Sequence, residues 1–106
     1  MQEHQLSEAD QGVVVQARTG DLIEVSLHEM PSAGYRWVVD SPADNVLDPI
    51  DPSYEFAEGR VGAANTASFR FRVKAAGTGA LRLIYRRPWE KDVPPLKTYE
   101  ATVTAR

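Results

Sequence analysis

The chain has 106 residues, with 12 basic and 15 acidic side chains, a net charge of −3, 42% hydrophobic residues and no cysteine. That length fits one domain around one core, spanning 1–106. The acidic balance excludes a nucleic-acid binder driven by phosphate contacts, and the missing cysteine excludes disulfides, thiol chemistry and cysteine-based metal sites.

No apolar run reaches the roughly 20 residues of a membrane span. Met1 to Asp10 is polar and lacks the apolar stretch of a signal peptide, so a cytoplasmic protein and an exported one without its leader read alike. Residues 1–11 are expected to be loosely ordered, with a short edge strand at most. Val13-Val14-Val15-Gln16-Ala17 is a β-branched run that suits a strand. Gly20 sits in a turn, and Ile23, Val25 and Leu27 then alternate with Glu24, Ser26 and His28. Pro31 and Gly34 bracket two small residues in Glu29-Met30-Pro31-Ser32-Ala33-Gly34, which predicts a turn. Tyr35, Trp37 and Val39 alternate with Arg36, Val38 and Asp40 in the next half-buried strand, where Trp37 is expected in the core.

The stretch from Ser41 to Pro52 is proline-rich and loop-like, and Tyr54-Glu55-Phe56 can extend a strand. The small residues of Glu58 to Asn65 suit a loop. Phe69, Phe71 and Val73 alternate with Arg70, Arg72 and Lys74, the basic side facing water. After the turn at Ala75–Gly79, Leu81, Leu83 and Tyr85 lead into Arg87-Pro88-Trp89, where the proline ends the strand because it cannot donate to a sheet ladder. Tyr99, Ala101 and Val103 alternate in the last strand. Helical periodicity is missing throughout. The expectation is an all-β, immunoglobulin-like β-sandwich of seven to eight antiparallel strands. Its core is predicted at Ile23, Val25, Leu27, Trp37, Phe69, Phe71, Val73, Leu81, Leu83 and Val103.

Catalytic chemistry finds little support. His4 and His28 lie far apart with no second ligand at metal spacing. No Gly-x-Ser-x-Gly elbow is present. Asp44, Asp48 and Asp51 lack the order of a calcium loop and are broken by prolines. The expectation is therefore no catalytic residue, no metal and no cofactor. What remains is three loops: Met30 to Gly34, Gly59 to Asn65, and Arg87 to Trp89. Counted from Val13, they follow the second, fourth and sixth strands, so a sandwich brings them to one end. Trp89 is either a binding hot spot or a residue folded back on the core, and the company of the other two loops favours binding.

These motifs resemble the chagasin family of inhibitors of papain-like cysteine peptidases, in order and spacing from about Gly12 to Ala105. That family carries Asn-Pro-Thr-Thr-Gly where this chain has Met30-Pro31-Ser32-Ala33-Gly34, followed by the aromatic Tyr35. A glycine-rich loop corresponds to Gly59-Arg60-Val61-Gly62-Ala63-Ala64-Asn65, and Arg87-Pro88-Trp89 matches in full. Met30, Ala33 and Ala64-Asn65 depart from the family pattern. The resemblance implies a monomeric, non-enzymatic protein whose three loops form a wedge that enters the cleft of a papain-like cysteine peptidase. Met30 to Tyr35, Gly59 to Asn65 and Arg87 to Trp89 would make the contacts. An immunoglobulin-like adhesion or scaffolding module, binding another protein or a glycan through the same loops, is the alternative.

Overall fold

The computed structural model describes residues 2–30, 34–55 and 65–106. Eight strands form two four-stranded sheets. They are β1 (Glu3–Ser7), β2 (Val13–Ala17), β3 (Leu22–Glu29), β4 (Arg36–Pro42), β5 (Leu47–Glu55), β6 (Asn65–Val73), β7 (Gly77–Arg86) and β8 (Lys97–Ala105). One sheet has the order β1-β3-β6-β5 and the other β2-β8-β7-β4. Four of the pairings are antiparallel, while β1 on β3 and β2 on β8 are parallel. No α-helix occurs among the described residues; a single 3₁₀ turn, Glu8–Asp10, links β1 to β2.

The sandwich forms because the alternating runs each turn an apolar face inward. All ten residues predicted for the core are buried. Across β3 and β6, Ile23 lies opposite Phe71 and Val25 opposite Phe69. Leu83 lies opposite Tyr99 across β7 and β8, and Leu81 opposite Ala101. The core also takes in Leu6, Val46 and Leu47.

Ser41 to Pro52, read as loop-like, instead closes β4 at Pro42 and supplies β5 from Leu47. The backbone of β5 pairs with β6 on one side only and so accommodates its prolines at the sheet edge. Two further stretches differ from the expectation. Residues 3–10, read as loosely ordered, form β1 and the 3₁₀ turn. Leu6 is buried there, and Asp21 ties the segment down. Asp21 accepts from the Gln2 and Arg18 backbone N–H groups at 3.0 Å each and meets His4 Nε2 at 3.0 Å. These contacts, the histidine first, hold its carboxyl well below the usual carboxylate range. The second difference is Val39, which is exposed rather than sharing the face of Trp37. The register of β4 on β7 shifts between Val39 and Ser41, and that irregularity ends the alternation. The register of β5 on β6 shifts in the same way between Ile50 and Ser53.

Candidate functional site

Strand register gathers the loop roots at one end. Glu29, the last residue of β3, pairs with Asn65, the first of β6, and Arg36 at the start of β4 pairs with Arg86 at the end of β7. The 30–35, 56–64 and 87–96 connections therefore leave from the same end. Of the residues predicted there, Pro31, Ser32, Ala33, Gly59, Arg60, Val61, Gly62, Ala63 and Ala64 lie outside the described residues. Met30, Gly34, Tyr35, Arg87, Pro88 and Trp89 are described, and Asn65 opens β6.

Trp89 is 69% exposed, so it is not folded into the core. Its indole rests on Gly34. A Cβ at that position would stand 2.5 Å from Trp89 Cη2, and the Gly34 φ of +84° is itself a left-handed value that side chains disfavour. Glycine at 34 thus answers two demands, and it lets the 30–35 and 87–96 loops touch. Beneath them runs a column of aromatic rings. The Arg87 guanidinium lies 4.6 Å from the centre of the Tyr35 ring. Tyr35 stacks on Tyr85 at 5.4 Å, and Tyr85 meets Trp37 at 4.9 Å. Tyr85 and Trp37 are buried, so the column anchors surface loops in the core.

Hydrogen bonds across the two sheets fix the root of the 30–35 loop. The Met30 N–H donates to Tyr85 Oη at 2.7 Å, and Trp37 Nε1 donates to the His28 carbonyl at 2.9 Å. Glu29 is 1% exposed. Its Oε2 accepts from the Trp37 N–H at 3.3 Å, and its Oε1 stands 3.3 Å from Arg36 Nε as an ion pair. A buried carboxylate is tolerated only with such partners. The 87–96 loop is closed by Leu96 N–H donating to the Tyr85 carbonyl at 2.8 Å and by a turn from Glu90 N–H to the Arg87 carbonyl at 3.0 Å. A cleft of about 240 Å³ lies under this loop, lined by Tyr35, Arg86, Arg87, Glu90 and the segment Val93 to Leu96. Met30, Trp89, Val93 and Leu96 leave large apolar side chains exposed at this end.

Glu29 and Tyr85 are the supporting residues that sequence reasoning missed. The signal for Glu29 was its phase: it follows Ile23, Val25 and Leu27 at steps of two, on the apolar face, with Arg36 across the turn. Among the described residues, no group of three or more His, Asp or Glu side chains could hold a metal.

Comparison with known proteins points one way. The model of the chagasin family of peptidase inhibitors, I42, matches residues 16–103. Chagasin from Trypanosoma cruzi is 31% identical over 91 residues, covering 81% of this chain and 83% of its own. Amoebiasin-2 from Entamoeba histolytica is 30% identical over 105 residues, covering 97% of this chain and 85% of its own. The crystal structure of the cysteine protease inhibitor EhICP2 from Entamoeba histolytica superposes with a TM-score of 0.89 at 28% identity, covering 100% of this chain and 97% of that one.

Proposed function

The chain belongs to the chagasin family of peptidase inhibitors, and we propose that it is a reversible, tight-binding inhibitor of papain-like cysteine peptidases. In this reading it closes their active-site cleft with the loops at one end of the sandwich. The observation that carries the reading is the seating of an exposed Trp89 on Gly34. A large aromatic held in place while it faces solvent is ready to be covered by a partner, and the 87–96 loop that carries it is already closed by its own hydrogen bonds. Such preorganisation lowers the entropy cost of binding.

Each loop has a distinct task. The 30–35 loop, with Pro31, Ser32 and Ala33, offers backbone and small side chains to a narrow cleft and blocks the catalytic cysteine. Trp89 supplies broad apolar area, and Arg87, stacked over Tyr35, holds its loop in place. Gly59 to Asn65 grips the other side. A firmly rooted loop is also a poor substrate, because hydrolysis would require it to distort. The adhesion alternative gains nothing from the relatives, one of whose solved structures is that of a cysteine protease inhibitor.

The test is titration of papain with the purified chain. Expected are stoichiometric loss of activity, recovery on dilution and recovery of the inhibitor uncut. Absence of inhibition would overturn the reading, and a chain recovered cleaved between Ser32 and Gly34 would make it a slow substrate.

A further inference from the structure

The parallel pairing of β1 with β3 has a geometric result. β1 runs in the same direction as β3, so the connection that follows it leaves from the same end as the 30–35 loop. β2 then runs parallel to β8, away from the root of the 87–96 loop. The turn at residues 8–12 is therefore a fourth connection facing the loop end, set back from its rim: Ser7 pairs with Ser26 and Val13 with Ala101, three and four residues in from Glu29 and Lys97. We propose that it is a fourth contact element of the peptidase-binding edge, reaching a wall of the peptidase cleft outside the reach of the other three. This rests on the inhibitory reading above.

The turn is fastened to the residues that root the neighbouring loops. Glu8 Oε1 accepts from the His28 N–H at 2.7 Å, two residues before Met30. Gln11 Nε2 donates to the Thr98 carbonyl at 2.6 Å, and Gln11 Oε1 accepts from the Glu100 N–H at 2.7 Å, just beyond the 87–96 loop. Internally it is capped: the Ser7 N–H donates to Asp10 Oδ2 at 2.8 Å and the Ala9 N–H to Ser7 Oγ at 3.3 Å. A turn fixed at both ends and within itself is preorganised in the way the 87–96 loop is. Between it and β8 lies an open cleft of about 400 Å³, lined by Glu8, Gln11, Trp37, Lys97, Thr98 and Tyr99. Trp37 also belongs to the aromatic column, so the cleft is continuous with the described edge.

Charge indicates what the turn faces. It carries Glu8 and Asp10 and no basic residue, whereas the 87–96 side sets Arg86, Arg87 and Lys91 against Glu90 and Asp92, with Arg87 paired to Glu90 at 3.8 Å. The edge is thus acidic at the turn and nearly balanced in charge at the 87–96 side. The matching wall is one that presents hydrogen-bond donors from lysine or arginine.

Ala9 is exposed at the tip of the turn and contributes only its backbone to the cap, so its side chain is a clean probe. Papain inhibition and thermal melting would be measured for the parent, Ala9→Trp, Trp89→Ala, and Ala76→Trp at the opposite end of the sandwich. Ala9→Trp should raise the inhibition constant at least tenfold with an unchanged melt, while Ala76→Trp should do nothing. Ala9→Lys should weaken inhibition more than Ala9→Glu. If Ala9→Trp inhibits like the parent while Trp89→Ala is weakened, the fourth contact is refuted and the three-loop reading stands. Equal effects of lysine and glutamate would refute the charge assignment. A parent that does not inhibit papain would remove both.

Discussion

Replacing Trp89 by alanine separates binding from folding. A tryptophan side chain buries of the order of 200 Å² when fully covered. With the residue 69% exposed, about 140 Å² is open to a partner, worth about 3.5 kcal/mol at about 25 cal/mol per Å². Holding the side chain and its loop in one geometry returns roughly 0.5–1.5 kcal/mol of that. The net is about 2–3 kcal/mol, a roughly 30- to 150-fold rise in the inhibition constant at about 1.4 kcal/mol per factor of ten. Most of the change should appear as faster dissociation. The remaining third of the ring, about 60 Å² resting on Gly34, supports the fold by less, roughly 1–1.5 kcal/mol on the same scale. That shifts the melting midpoint by no more than about 6–12 °C. The assay is papain inhibition followed by stopped-flow dissociation, with thermal melting of the same sample. A variant that inhibits as well as the parent but melts about 15 °C lower would show that Trp89 serves the fold, and the binding argument would fail.

Three further outcomes are expected. Glu29→Ala leaves the Trp37 N–H without its acceptor and should cost about 1–3 kcal/mol, visible in melting together with weakened inhibition; Glu29→Gln should be milder. The carboxyl of Asp21 is held low by His4 and two backbone N–H groups, so its contribution is fully present above its unfolded pKa of about 3.9 and is lost as pH falls below it. Asp21→Asn should therefore flatten the acid limb of urea-unfolding midpoints against pH. Tyr99 is pushed up to about 12, first by burial and then by Asp10, so stability should be whole below pH about 10 and fall as pH rises from there. Its hydroxyl is buried without a hydrogen-bond partner, so Tyr99→Phe should leave the melting temperature unchanged or raise it.

Period-two alternation was enough to place Ile23, Phe71 and Leu83 inside, because each side of such a strand has a fixed destination once two sheets pack. It failed at Val39, where the register slips and the parity no longer holds. It also underrated residues 3–10, whose order comes from partners far along the chain: Asp21 for His4, and the His28 amide for Glu8. The exposed Trp89 could be suspected from Arg87-Pro88-Trp89, but its seat could not. Nothing local to Gly34 reveals that an indole from another loop will lie against it. Glu29 reads as part of the loop because a carboxylate looks like a surface residue until the parity of its strand is followed one step further.

The interrupted registers of β4 and β5 matter at high concentration. Both strands lie at sheet borders on the same flank, where a row of unused backbone groups could template the addition of another chain. β4 is broken at Val39 and Ser41, and β5 between Ile50 and Ser53, with Pro49 and Pro52 in its run carrying no amide hydrogen to offer. The opposite flank ends in β1 and β2, each five residues long. A molecule bordered in this way resists fibril-like stacking. It also gives an extended peptide, such as a peptidase's own substrate, no border longer than five residues that is free of interruption to zip onto.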